Sequence, residues 1–199
     1  MKTLFLMLAL FLSLNVFAQV PEKAADISPL LIGESIPNAK LLDVNGRDVS
    51  LHKVIKEKPT VLVFYRGGWC PFCNDQLAAL GDIEEDILEL GFQIVAVSPD
   101  QVQSLKPITE SETIHYQVYA DPQASLIQEI GIGFQTPGMA KLYIAKKTKL
   151  DATEILPVPS VFVLNTSGDI LYEYINPNYK VRLSSKLLLA NLKVLKKEL

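Results

Sequence analysis

Cysteine and histidine are scarce in this 199-residue chain, with two of each. The histidines, His52 and His115, stand far apart and form no ligand-spaced cluster, so a four-ligand zinc site is excluded. Two cysteines cannot build a disulfide framework for a small scaffold. Excess positive charge is also missing: the net charge is -3, with acidic and basic residues interspersed. A nucleic-acid binder needs a basic footprint that this chain does not carry. There is no internal repeat and no low-complexity segment. Past residue 18 no apolar run approaches the roughly 20 residues that a spanning helix needs. What is present is ordinary globular material, 49% apolar, enough for one domain with a sizeable core.

The first eighteen residues, MKTLFLMLALFLSLNVFA, stand apart from that core. Lys2 is a short positive head, an apolar stretch follows, and Val16 and Ala18 sit at the -3 and -1 positions of a secretory cleavage site. A membrane anchor is the rival, but the apolar stretch is short for it. The expectation is an exported protein, periplasmic or extracellular, cleaved after Ala18 and free of the membrane afterwards. Residues 19–32 read as a polar linker, and residues 33–199 as the domain.

Within the domain, residues 39–43 and 48–51 flank Asn45-Gly46, a hairpin signal. PTVLVFY (59–65) is a continuous apolar run suited to a strand buried on both faces. Leu77, Leu80, Ile83 and Ile87 recur at helical spacing, predicting one helix over 71–90, followed by a strand at 92–98. Strand, helix, strand with short links make a parallel unit with a right-handed crossover. A kinked helix over 98–110, a strand at 116–121, a helix opened by Pro122, a hairpin over 159–175 and a closing helix over 184–198 complete a three-layer α/β domain with a mixed sheet. Residues 131–156 are the least legible, with a helix-like piece at 139–147.

Both cysteines lie in FYRGGWCPFC, at the point where strand gives way to helix. With Pro71 at the first helical position, Cys70 becomes the N-cap. The leading N–H groups and the positive helix end then favour a thiolate there. Cys73, one turn inside, can reach Cys70 but is better shielded. A bond across so short a gap constrains little of the unfolded chain, so it is a poor staple and suits a bond made and broken. Geometry therefore makes Cys70 the attacking sulfur and Cys73 the resolving one. Arg66 could deepen the fall in pKa, and Trp69 would wall the site or simply fill core. An inert bridge is the plain structural alternative, and a soft copper(I) site of two thiolates is the one metal reading left.

The stretches GESIPNAKLLDVNGRDVSL, VLVFYRGGWCPFC, IVAVSPD, VYADP and PSVFVLNTSGDILY together resemble thioredoxin-fold proteins of the peroxiredoxin-like branch, the alkyl hydroperoxide reductase and thiol-specific antioxidant superfamily. The resemblance implies a thioredoxin-like sheet with an added N-terminal β-ribbon. It also implies that Pro159 is a cis-proline packed on the cysteine turn. Set against thioredoxins, WCPFC makes Cys70 the nucleophile. Set against peroxiredoxins, Cys73 falls on the peroxide-attacking cysteine and Cys70 on a threonine. The arginine that peroxiredoxins keep before a late strand falls at Pro159, leaving Arg66 as the nearby substitute. The buried aspartate of thioredoxins falls at Phe64.

The expected activity is thiol-disulfide exchange through a Cys70–Cys73 dithiol, with a thiol-dependent peroxidase using Cys73 as the alternative. Either needs a thiol or disulfide partner, such as a thioredoxin-type reductant, and the second also needs peroxide. No cofactor beyond the two thiols is expected.

Overall fold

A computed structural model describes residues 20–110 and 114–199; the leader read at residues 1–18 lies outside them. The entry ribbon pairs Lys40–Leu42 (β1) with Asp48–Ser50 (β2), antiparallel. Its turn is tied by the Asp43 carboxylate, which accepts the N–H groups of Asn45 and Arg47 at 2.9 Å each. Leu51–Ile55 (α1) leads into Thr60–Phe64 (β3), buried along its whole length as the continuous apolar run predicts. Pro71–Gly81 (α2), Glu84–Glu89 (α3) and Gln93–Ser98 (β4) follow. The β3–β4 pair is parallel, from Thr60 opposite Gln93 to Phe64 opposite Val97.

Lys106–Thr109 (α4), Gln117–Ala120 (β5), Ser125–Glu129 (α5) and Gly133–Gln135 (β6) lie next in the chain. Then come Gly138–Thr148 (α6), Ile155–Pro157 (β7), Ser160–Leu164 (β8), Ile170–Ile175 (β9) and Ser185–Leu195 (α7). Seven strands form one mixed sheet in the order β2-β1-β5-β4-β3-β8-β9, and β6 with β7 makes a separate ribbon. Alternation along β3 sends Val61 and Val63 to one face, against Leu77 and Leu80 of α2 and Leu188 and Leu192 of α7. Leu62 and Phe64 go to the other, against Leu51 of α1 and Leu126 of α5. That is the three-layer α/β/α arrangement expected from the sequence.

The helix expected over 98–110 shortens to a single turn at Val102–Ser104 and the four residues of α4, and four further local expectations change. The helix over 71–90 is two helices, because Ile83 leaves helical geometry (φ -116°, ψ 12°) and turns its side chain onto the core. Glu84, Glu85 and Asp86 then open α3, where negative charge suits a new helix N-terminus. The helix expected from Pro122 begins at Ser125. Asp121, preceding it, accepts the N–H groups of Ser125 at 2.9 Å and Ile127 at 3.1 Å. Residues 20–32 lie along the domain rather than hanging from it. Ser28 and Leu30 donate to the carbonyls of Gly131 (3.2 Å) and Ile130 (3.1 Å). Gly131 has φ +71°, and a Cβ there would fall 1.9 Å from the Ser28 oxygen, so that close approach requires glycine.

The fourth concerns Pro159. No peptide among the described residues is cis. Residues 157–160 run extended from β7 into β8, held by Val158 donating to Ile132 (2.8 Å) and Asn176 donating to the Pro159 carbonyl (3.3 Å). With no turn to make, the bond keeps the trans form, favoured for X–Pro by about 0.5–1 kcal/mol. Pro159 is buried and directly precedes Ser160, the partner of Phe64, so it does lie beside the end of the active strand.

Candidate active site

The end of β3 delivers the cysteine turn. Beyond Phe64 the chain leaves the sheet through Tyr65, Arg66, Gly67 and Gly68. Cys70 donates its N–H to the Gly67 carbonyl at 3.1 Å. Cys70 is the N-cap of α2 and Pro71 its first residue, as the sequence predicts. The Cys70 carbonyl accepts the N–H groups of Cys73 (3.0 Å) and Asn74 (3.1 Å). Both thiols are free, and their residues are 1% and 0% exposed.

The two sulfurs differ sharply in charge preference. The neighbouring Cys73 thiol and main-chain N–H, with the positive charges of Arg66 and Arg182, pull the Cys70 pKa below the usual thiol value, against the cost of burial. Burial, and then the neighbouring Cys70 thiol, pushes Cys73 up. Negative charge is therefore better tolerated on Cys70 than on Cys73.

Arginine donors nevertheless gather on Cys73. The Arg182 guanidinium donates through Nη2 to Cys73 Sγ at 3.4 Å and through Nη1 to Gln76 Oε1 at 3.2 Å. The Arg66 main-chain N–H also faces Cys73. The Arg66 side chain is buried, with its guanidinium carbon 4.3 Å from the Tyr179 ring centre and 5.0 Å from that of Trp69. Its Nε, like that of Arg182, is buried with no hydrogen-bond partner. Tyr179 meets Phe72 edge-on with ring centres 5.7 Å apart. Trp69 meets Tyr143 of α6 the same way at 6.0 Å, so the least legible stretch of the sequence supplies a wall of the site.

The underside of the turn is acidic. Asp100, just past β4, is buried, and its carboxylate accepts the Gly68 N–H at 2.8 Å. Burial lifts its pKa from 3.8 to about 6. Asn74 donates to the Gly68 carbonyl at 3.0 Å, so the peptides on both sides of Gly68 are held. Gly67 has φ +139°, and a Cβ on it would fall 2.3 Å from Trp69 Nε1 and 2.5 Å from Asp100 Oδ1. Among the described residues no group of three metal-ligating side chains comes together.

With this geometry in view, residues 32–173 match the AhpC/TSA family. The chain belongs to the AhpC/TSA family. Membership makes it a thiol-based oxidoreductase, and the Cys70–Cys73 turn, which lies within the matched residues, is its candidate centre. A similar curated protein is the putative peroxiredoxin bcp of Haemophilus influenzae, 25% identical over 117 residues, which cover 59% of this chain and 75% of that one. The chloroplastic peroxiredoxin Q of Oryza sativa subsp. japonica is 27% identical over 144 residues, covering 72% of this chain and 58% of its own. The chain thus spans between half and three quarters of these relatives' length. Among solved structures, reduced Prx3 of Vibrio vulnificus in complex with hydrogen peroxide aligns with TM-score 0.70 at 17% identity, over 82% of this chain and 99% of that one. Peroxidoxin BcpB of Mycobacterium tuberculosis aligns with TM-score 0.65 at 18% identity, over 82% and 96%. These structures show the shared fold.

Of the residues singled out in this AhpC/TSA sequence, Arg66, Trp69, Cys70, Pro71 and Cys73 come together at the turn. Pro159 borders it in the trans form. Three more residues escaped the sequence. Arg182 and Tyr179 arrive from the loop between β9 and α7, and Asp100 from just past the neighbouring strand β4. The Ser-Pro-Asp after the second buried strand was the one local hint for Asp100.

Proposed function

We propose that the protein is a thiol-dependent peroxidase in which Cys73 attacks the hydroperoxide and Cys70 resolves it. The observation that carries this reading is the Arg182 guanidinium 3.4 Å from Cys73 Sγ. From the C-terminal segment it supplies a cation in place of the arginine that the resemblance puts at Pro159. Guanidinium N–H groups at the reacting sulfur can bind the oxygens of a hydroperoxide and stabilise the charge that develops as the O–O bond breaks. Substrate there draws the thiolate charge onto Cys73 by moving its proton to Cys70. The Cys73 sulfur bonds to one oxygen, the O–O bond breaks, and the other oxygen leaves as an alcohol or water. Cys70 then displaces hydroxide from the Cys73 sulfenic acid, closing the Cys70–Cys73 disulfide. A dithiol of thioredoxin type returns the two electrons.

The second reading is disulfide exchange with Cys70 attacking, and the lowered Cys70 pKa is what favours it. Hydrogen peroxide consumption with dithiothreitol as reductant separates the two: turnover is expected. Insulin reduction without peroxide turnover would replace the peroxidase by the exchange enzyme. The leader read at residues 1–18 makes export part of the proposal. It predicts a mature N-terminus at Gln19, and a native protein that keeps Met1 would remove that part.

A further inference from the structure

The peroxidase reading above sets a proton requirement, and the inference rests on it. Starting from one thiol and one thiolate, reduction of a hydroperoxide breaks the O–O bond, forms the S–S bond and releases alcohol and water. Two protons are consumed. One comes from the thiol, and the other must enter from outside the pair, although both cysteine residues are at most 1% exposed.

We propose that Asp100 carries this proton between solvent and the buried cysteine turn. Three features place it for that work. Its carboxylate accepts the N–H of Gly68, two residues before Cys70, at 2.8 Å. Gly67 lacks the Cβ that would fall 2.5 Å from Asp100 Oδ1, so the turn lies against the carboxylate. On its other side Asp100 lines a crevice of about 20 Å³ with Trp69, Ser104, Thr148, Asp151 and Thr153. A polar space of that size holds about one water, which needs roughly 10–15 Å³. Gln101 and Asp151, which also line it, are exposed, so the crevice leads to solvent.

The titratable groups facing Asp100 set how it behaves. They are Cys70 on the turn, Tyr65 just past β3, kept neutral by burial, and Asp151 across the crevice. Burial raises the Asp100 pKa to about 6, and the Cys70 thiolate adds to the rise. The carboxyl can therefore take a proton from neutral water and release it. Asp100 protonates more readily while Cys70 is charged and less readily once the disulfide has removed that charge. The device gains its proton when the thiolate forms and gives it up as the pair oxidises.

The test is Asp100→Asn, which keeps an acceptor for Gly68 and removes the exchangeable proton. With Asp100 uncharged, the Cys70 thiolate absorbance should titrate at lower pH than in the wild type. Peroxide-driven disulfide formation should nevertheless slow by about 10²-fold, the scale of general acid–base help. A lower thiolate midpoint with slower oxidation supports the relay. An unchanged rate, or a slower rate with an unmoved midpoint, overturns it. Wild-type protein that does not react with peroxide fails the peroxidase reading instead. The relay is then read from the Asp100 carboxyl by NMR, as it also is if the variant does not fold. The Asp100 midpoint should fall when diamide closes the disulfide, and equal midpoints in the two forms overturn the proposal.

Discussion

One cysteine turn separates two unlike flanks. On one side cations converge: Arg182 on the Cys73 sulfur, and Arg66 between the rings of Trp69 and Tyr179, with both charges felt at Cys70. Beneath the turn lies a buried carboxylate, Asp100, whose charge no cation among the described residues offsets. The first flank suits a bond whose breaking leaves negative charge on oxygen. The second suits a proton that must come and go. The turn thus divides charge stabilisation from proton supply, and substitutions on each flank should fail in different ways.

The largest effect is expected on the cationic flank. Arg182→Met should slow sulfenic acid formation by hydrogen peroxide by about 10²–10³-fold, the scale for losing one donor at a developing charge. Reaction of the same protein with a small disulfide reagent should change far less. Equal losses in both reactions would mean that Arg182 only holds the turn in shape.

On the acidic flank the comparison turns on pH. Asp100 has its pKa raised from 3.8 to about 6, so below pH 4 it is neutral both folded and unfolded and contributes nothing. Between pH 4 and 6 the unfolded chain ionises first and folding stability is lost, and above 6 the loss is complete. Asp100→Asn removes this loss, so its stability relative to wild type should rise from pH 4 to pH 7, by at most about 3 kcal/mol. Chemical denaturation at the two pH values measures it, and a difference independent of pH would break the acidic half of the comparison.

The turn between the flanks should be nearly as sensitive. Gly67→Ala places a Cβ 2.3 Å from Trp69 Nε1 at φ +139°, and strained backbone of this kind costs about 1–3 kcal/mol. Thermal unfolding checks it, and a variant as stable as the wild type would show that the turn can relax. The smallest effect belongs to Tyr179→Leu, which removes a cation–π contact worth about 0.5–2 kcal/mol. Peroxide turnover should fall less than that of Arg182→Met.

How much of this was legible follows from how far the information lies along the chain. The buried strand 59–65, the N-cap Cys70 with Pro71 behind it, and the Asn45-Gly46 hairpin are local, and each is where its pattern predicts. The cationic flank is not local. Arg182 reaches Cys73 across 109 residues, through a loop with no periodic pattern. Asp100 reaches Gly68 across 32, by the parallel pairing of β3 with β4. That pairing was predictable, but not which side chain past the strand end would turn inward. The break at Ile83 was hidden because its spacing fits both one helix and two. Pro159 went astray because a sequence permits a cis bond without showing whether the backbone needs one. With the turn judged from neighbours in sequence alone, Cys70 was the attacking sulfur. The contact of Arg182, from a distant segment, with Cys73 is what leads us to propose Cys73 for the peroxide chemistry.

That reassignment is tested most directly by mass spectrometry of Cys70→Ser and Cys73→Ser after brief exposure to dilute hydrogen peroxide with a sulfenic acid trap. The account predicts trapped sulfenic acid on Cys73 in Cys70→Ser, and an unmodified Cys70 in Cys73→Ser. Trapping on Cys70 in Cys73→Ser, with Cys73 untouched in the other variant, would contradict it.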